Sequence, residues 1–231
     1  MLTQTAIPAV RSGSFKRPAM QVPPPAGAHH ALGGPVDLMG APMSFARNAE
    51  IYGEGEPADY LYKVVSGTVR TSKLLTDGRR QVGGFYVPGD IFGLETGEEH
   101  TFSAEAITEC KVLVIKRSAL VALAGRDHDV ARQLWTITGS ELRRVQDHIM
   151  LLIKSAQERV ASFLLEMSGR ISAGNAVELP MSRQDIADYL GLTIETVSRT
   201  LTILENAATI ELSSSRRIVL RNRSALNRLN A

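Results

Sequence analysis

The stretch Met181-Ser182-Arg183-Gln184-Asp185-Ile186-Ala187-Asp188-Tyr189-Leu190-Gly191-Leu192-Thr193-Ile194-Glu195-Thr196-Val197-Ser198-Arg199 decides how the chain is read. Ser182 predicts the start of one helix, with Asp185 three residues on at the positive end of its dipole. Ile186, Ala187 and Leu190 supply its apolar stripe, and Gly191 gives the turn a permissive backbone. Thr193 caps a second helix with Thr196 three residues later, and Val197, Leu201 and Leu204 recur on the face that packs on the first. The pattern predicts a helix-turn-helix.

Glu195, Ser198 and Arg199 fall on another face of the second helix, within about one turn of its start, where such a helix reaches base edges in the major groove. An Arg fork donates to guanine O6 and N7, a Glu carboxylate accepts from cytosine N4, and a Ser hydroxyl binds a phosphate or base edge. Thr193, Thr196, Ser182 and Arg183 at the two helix starts, with Arg216 and Arg217 further on, complete the candidate DNA-binding set. The competing reading is a solvated helix pair with an exposed Glu195 to Arg199 ion pair, worth only about 0.3 to 0.5 kcal/mol.

With 231 residues, 44% of them hydrophobic, the chain can bury a sizeable core and predicts two domains. No apolar run reaches membrane-spanning length, the start lacks a signal-peptide pattern, and Cys110 is the single cysteine, so the expected location is cytoplasmic. The net charge of +2 says little by itself. From Asn206 onward, however, Arg216, Arg217, Arg221, Arg223 and Arg228 stand against Glu211 alone, five minus one giving +4. These arginines suit phosphate contact, or an ordinary basic tail.

Seven of the ten prolines lie in the first 42 residues, which predicts a flexible arm over residues 1–44. His29 and His30, adjacent and without further ligands, make a poor metal site. Short β-type runs follow, at Tyr60 to Val65, Gly67 to Leu75, Gln81 to Val87 and Lys111 to Ile115, with turns at Asp77-Gly78 and Pro88-Gly89-Asp90. They predict an antiparallel roll over residues 45–128.

Residues 129–154 read as one long helix. One heptad register sets Trp135, Leu142 and Ile149 at a positions with Thr138, Val145 and Leu152 at d positions, a dimerising seam. The alternative is an amphipathic helix buried on its own β domain. A hinge is expected at Lys154 to Gln157, and a helix at Glu158 to Met167. Residues 155–231 then form the DNA-binding domain, in which Thr209 to Leu212 and Arg217 to Leu220 flank Ser213-Ser214-Ser215-Arg216 as a hairpin wing. The fold class is α+β: an N-terminal antiparallel β-roll, a long dimerisation helix and a C-terminal winged helix-turn-helix.

Gly67-Thr68-Val69-Arg70, Pro88-Gly89-Asp90-Ile91-Phe92-Gly93, Glu158-Arg159-Val160-Ala161 and Ser182 to Arg199, in that order, resemble the CRP/FNR family of transcription regulators over roughly residues 45 to 225. The resemblance implies a cupin-like, cyclic-nucleotide-binding-like roll and RNA polymerase as a partner, with Ser168 to Asn175 suggested for that contact. Glu195-Thr196-Val197-Ser198-Arg199 is similar to the FNR and FixK groups, which implies a homodimer on a dyad site TTGA, six bases, TCAA. In that site Arg199 reads the guanine, Glu195 the cytosine and Ser198 a phosphate or neighbouring base.

The chain departs from cyclic-AMP-binding members, which carry Gly-Glu after the turn and Arg-Ser before the next strand. Here Gly93-Leu94 and Phe102-Ser103 stand there, and a buried phosphate without a counter-charge is costly. Cys110 alone cannot hold an iron-sulfur cluster, which needs about four thiolates. It reads as a small buried residue, and His100, His128 and His148 as surface or capping residues.

No cofactor is expected, and the resemblance implies a FixK-type activator of microaerobic respiration, denitrification or nitrogen fixation genes. Its rivals are a regulator with an unidentified effector in the roll, and a repressor. No enzyme motif is present, and Glu98-Glu99-His100 reads as a polar surface loop. Ala208 stands where the family often has the Gly ending the recognition helix, so the wing is expected to start differently.

Overall fold

A computed structural model describes residues 34–171 and 174–230. Eight strands build the roll: β1 (Ala41–Phe45), β2 (Glu50–Tyr52), β3 (Tyr60–Ser66), β4 (Val69–Leu74), β5 (Arg80–Tyr86), β6 (Ile91–Phe92), β7 (Ser103–Ala106) and β8 (Cys110–Lys116). They form two antiparallel sheets, ordered β1-β8-β3-β6 and β2-β7-β4-β5. Tyr52, Tyr62, Val64, Val69, Tyr86, Phe92, Cys110 and Val112 fill the space between. The expected hairpin turn is present, with Leu75 N–H donating to Arg79 O and Gly78 at φ 83°. Gly67 is irreplaceable on two counts: its φ is 82°, and a Cβ there would lie 2.3 Å from the Glu109 carbonyl oxygen.

The predicted arm ends earlier than residue 44. Gly34–Met39 is a 3₁₀ turn that buries Val36 against Leu61, Ile115 and Leu120, and Lys63 donates to Asp37 at 2.6 Å. β1 follows on the edge of its sheet, where Pro42 costs no ladder hydrogen bond from a missing N–H. His29 and His30 lie outside the described residues.

After α1 (Arg117–Ala124), α2 (His128–Leu152) runs for 25 residues. Asp127 caps it, accepting from the Asp129 and Val130 amides. Val130 and Ile137 bury against the roll. The helix breaks at the expected hinge before α3 (Ala156–Ile171). There Ser155 N–H donates to Glu158 at 2.7 Å, and Arg159 donates to Lys154 O at 2.8 Å and Leu190 O at 2.9 Å. The motif Glu158-Arg159-Val160-Ala161 thus makes a cap, ties the hinge to the next helix pair, and sends two side chains into the core.

The C-terminal part comprises β9 (Ala176–Glu178), α4 (Arg183–Leu190), α5 (Ile194–Asn206), β10 (Ile210–Leu212), β11 (Arg217–Leu220) and α6 (Arg223–Asn230). The wing is a three-stranded sheet, β10-β11-β9, rather than a hairpin alone. One apolar cluster runs from Val82 and Phe85 of the roll through Leu151, Phe163 and Met167 to Ile186, Tyr189, Val197 and Leu201.

Ala208 adopts the left-handed conformation itself, at φ 51°, so the wing starts where a Gly would have started it. Its N–H still donates to Glu205 O, and Thr209 N–H to Leu204 O. An L-residue there costs about 1 to 2 kcal/mol, while Gly loses about 0.4 to 1 in chain entropy. Ala208→Gly is therefore expected to stabilise the fold by about 0.5 to 1 kcal/mol in denaturant unfolding.

His148 and His100 are not surface residues. His148 packs at 4.3 Å from the Tyr189 ring, and burial first, then the Arg144 charge, holds its pKa below the ordinary value. The unfolded chain then binds the extra proton more readily, so its contribution is present above pH about 6.5 and lost as pH falls. Against a His148→Gln variant, the wild type should lose stability between about pH 7 and 5, measured by unfolding at each pH.

Candidate nucleic-acid interface

Ser182 and Asp185 form a reciprocal cap. Asp185 N–H donates to Ser182 Oγ at 3.1 Å, and Ser182 N–H and Oγ–H donate to Asp185 Oδ2 at 2.9 and 2.7 Å. Gly191 closes α4 in the left-handed conformation, with its N–H on Ala187 O. Thr193 Oγ1 accepts from Thr196 N–H at 3.2 Å and begins α5. Ile186, Ala187 and Leu190 meet Val197, Leu201 and Leu204 in the core, which fixes the angle between the two helices.

That packing leaves Thr193, Glu195, Ser198 and Arg199 exposed, with Thr196 half-buried. No ion pair joins Glu195 to Arg199 among the described residues. Glu195 is held below the usual carboxylate range by its own backbone N–H, then by the Thr193 hydroxyl and the Arg199 charge. The face therefore offers one anionic acceptor, one hydroxyl and one guanidinium. Ile194 is exposed beside them at the helix start. Its apolar side chain points outward at the helix start, off the inward stripe that helical spacing marks.

The other predicted residues divide. Ser182 is exposed, but its hydroxyl proton goes to Asp185. Arg183 is half-buried, with one terminal nitrogen buried and unpaired and its pKa lowered by burial. Arg217 is exposed at the start of β11 and Arg216 half-buried before it. Glu211, already deducted in the sequence count, pairs with Arg221, and Arg223 donates to Ser168 at 2.9 Å while keeping its charge. Ser168 is thus buried at the end of α3, while Ser172 and Ala173 lie outside the described residues.

On α2 one apolar stripe is buried and another is exposed. Val130, Ile137 and Leu151 bury against their own chain, while Trp135 is 82% exposed, Leu142 58%, Val145 48% and Ile149 57%. Thr138 is exposed between them, and Leu152 is half-buried near the Gly191 turn.

Inside the roll, aromatic rings occupy the space between the sheets. Tyr52 stacks on His100 at 3.6 Å, Tyr62 on Phe92 at 5.1 Å, and Tyr86 lies 5.2 Å from Phe92. Leu94 packs with Leu61 and Ile91, and the Phe102 ring covers Gly83. His100 is therefore a core residue, unlike exposed Glu98 and Glu99. Cys110 is buried as expected, and burial raises its thiol pKa. Burial, followed by nearby carboxylates and phenols, pushes Tyr62 up to about 12.

Two family models match this architecture: a cyclic nucleotide-binding domain over residues 42–127 and a Crp-like helix-turn-helix domain over residues 158–229. The chain is 56% identical over 202 residues to the nitrogen fixation regulation protein FixK of Azorhizobium caulinodans, covering 85% of this chain and 82% of that one. The FixK of Rhizobium meliloti is 40% identical, with 85% and 91% covered. The solved structure of FixK2 from Bradyrhizobium japonicum superposes with a TM-score of 0.80 at 53% identity, covering 83% of this chain and 98% of that one. These relatives are transcription regulators, and among the described residues no helix is long and apolar enough to cross a membrane. The chain belongs to the CRP/FNR family of helix-turn-helix transcription regulators, in its FixK-type group.

Proposed function

We propose that the protein is a homodimeric transcription activator that reads a dyad site of the form TTGA, six bases, TCAA, without a cyclic-nucleotide effector. The observation that carries this reading is the exposed face of α5, where Glu195, Ser198 and Arg199 stand together at the helix start. Arg199 donates to the guanine, Glu195 accepts from the cytosine of the opposite strand, and Ser198 meets a phosphate or adjacent base. Exposed Ile194 suits a thymine methyl. Thr193 and Thr196 at the helix start and exposed Arg217 on the wing are suited to phosphates, with Ser182, Arg183 and Arg216 in supporting places.

The exposed stripe Trp135, Leu142, Val145, Ile149 on α2, continued by Thr138 and Leu152, supports a parallel dimer seam. Two copies so joined present two α5 helices to half-sites about one helical turn apart. The aromatic filling of the roll, with Leu94 and Phe102 in place of charges, favours binding without a cyclic nucleotide. RNA polymerase in the cytoplasm is the partner, and genes of microaerobic respiration, denitrification or nitrogen fixation are the targets. The names of the FixK relatives support the last of these.

A second reading, an effector-dependent regulator, draws on one observation. Tyr52 Oη, Glu95 Oε2 and both ring nitrogens of His100 are buried without a hydrogen bond among the described residues. His100 Nδ1 lies only 3.4 Å from Glu95 Oε2 and its ring stacks on Tyr52, so a small polar effector would have to reach the remaining unpaired atoms, Tyr52 Oη and His100 Nε2, from their open side.

Fluorescence anisotropy with a labelled TTGA-type duplex tests both readings. Ligand-free, metal-free protein should bind it tightly, and cyclic AMP should change nothing; strict dependence on an added ligand would favour the second reading. Arg199→Ala should lose about 1 to 3 kcal/mol per half-site and its preference for the guanine. Equal affinity of the two proteins at matched salt would refute the assignment, and Glu195→Ala tests cytosine reading separately. Replacing Leu142 and Ile149 together by Glu should yield monomers in sedimentation, with binding to the dyad site lost.

A further inference from the structure

The first helix of the reading head is tied to the roll by charge. Asp185 Oδ1 accepts from Arg70 Nη1 of β4 at 2.6 Å and from Arg80 Nη2 of β5 at 2.7 Å. Arg80 Nε also donates to Asp188 Oδ2 at 2.8 Å, and Arg70 grips Glu105 of β7 through Nε and Nη2 at 2.8 and 2.6 Å. The Asp185 side chain is 3% exposed and that of Arg70 14%, so this is not a solvated surface pair.

The two carboxylate oxygens of Asp185 do different work. Oδ2 caps α4 through Ser182, and Oδ1 holds the roll. A second tie lies at the end of α3, where Arg170 donates to Asp90 Oδ2 at 2.6 Å and Phe85 O at 2.7 Å. Between them Tyr189 of α4 packs 5.2 Å from Phe85 of β5. The only covalent link from α2 into the head is the short break between Leu152 and Ala156, whose few backbone torsions leave the head's angle open. Planar guanidinium forks are directional, so these pairs restrict rotation as well as distance.

We propose that Arg70 and Arg80 are positioning residues for DNA reading: they fix the head on its own roll, and so set the separation and phase at which two heads meet two half-sites. The inference rests on the dimeric, two-half-site reading proposed above. Each base pair added to the spacer moves a half-site by about 3.4 Å and turns it by roughly 34 to 36°. Heads held by these directional pairs resist that screw motion, whereas heads left with the Arg170 tie and the non-directional apolar contact of Phe85 with Tyr189 follow it more easily.

The test compares wild type, Arg80→Ala, Arg70→Gln/Arg80→Ala and the conservative Arg80→Lys on duplexes with five-, six- and seven-base spacers, each variant first checked for cooperative unfolding. Wild type should prefer one spacer by about tenfold or more, the double variant should spread its preference to within about threefold, and Arg80→Lys should fall between. Discrimination against a substituted guanine at the preferred spacing should stay unchanged in all of them. A merely structural role would lower affinity equally for all three spacers and leave the ratio intact, which would overturn the proposal.

A measurement without DNA separates this inference from the sequence of the site. With Ser214→Cys spin-labelled in a Cys110→Ser background, each dimer carries one label per wing and gives a single head-to-head distance. A narrow distribution in wild type that broadens in the double variant supports the inference even if the TTGA sequence is wrong. Equal widths overturn it, and a wild type without dipolar coupling, being monomeric, overturns it together with the dimer reading.

Discussion

The Asp185 carboxylate is the constraint on which the rest of the architecture turns. Its donors are Ser182 N–H, Ser182 Oγ–H, Arg70 and Arg80, so both oxygens are satisfied at a site closed to water. Burial alone would raise its pKa, but the Ser182 hydrogen bonds and the two arginine charges outweigh that and hold the group below the usual carboxylate range. A buried charge of this kind is weak evidence for added stability, because a well-packed apolar substitute can do as well. Removing one partner from it, however, costs about 3 to 5 kcal/mol. The same side chain initiates the first helix of the motif and fixes that helix on the roll. Local structure and part of the placement of the head therefore share one group, with the Arg170 tie and the apolar cluster from Val82 and Phe85 completing the placement.

The roll meets the long helix through a second polar joint. Tyr86 is buried and donates to Glu141, while the Arg144 guanidinium lies 4.3 Å over its ring and also donates to Phe85 O at 3.3 Å. Phe85 thus receives Arg144 from α2 and Arg170 from α3 on its carbonyl, and Tyr189 from α4 on its ring. β5 carries Arg80, Phe85 and Tyr86 within a single strand, so it contacts every helix that leads to the reading face.

Legibility in the sequence followed the range of the interactions. The helix pair, its caps, the left-handed Gly191 and the Asp77-Gly78 turn were all readable, because periodicity and capping act within four residues. The exposed stripe on α2 was readable for the same reason, and so was the opposite, self-burying face offered as its alternative. What was hidden is non-local. Arg70 and Arg80 are more than a hundred residues from Asp185, and no pattern on either strand distinguishes a partnered arginine from a solvated one. β1 and the 3₁₀ turn before it were masked by prolines and glycines, residues that an edge strand and a turn tolerate. His100 was read as polar because its burial comes from stacking on Tyr52, half the roll away in sequence. Which of the five wing arginines Glu211 neutralises was hidden too, because the sequence gives the net count but not that Arg221 is the partner.

The anion on the reading face is informative for the same reason that it looks out of place. Glu195 stays ionised, because its own amide, Thr193 and Arg199 all favour the charged form. Against a polyphosphate surface an exposed carboxylate is repelled unless a donor meets it, and in the major groove the cytosine amino group is such a donor. In the proposed reading, Arg199 would add affinity wherever it finds a guanine, and some affinity wherever it finds a phosphate. Glu195, in the same reading, would add little affinity anywhere and would penalise every sequence that offers it an acceptor. Discrimination is a difference of affinities, and a repulsive group can supply as much of it as an attractive one. With the two side chains four residues apart on one helix and no ion pair between them among the described residues, the proposed reading would leave each free for a different strand of the same base pair.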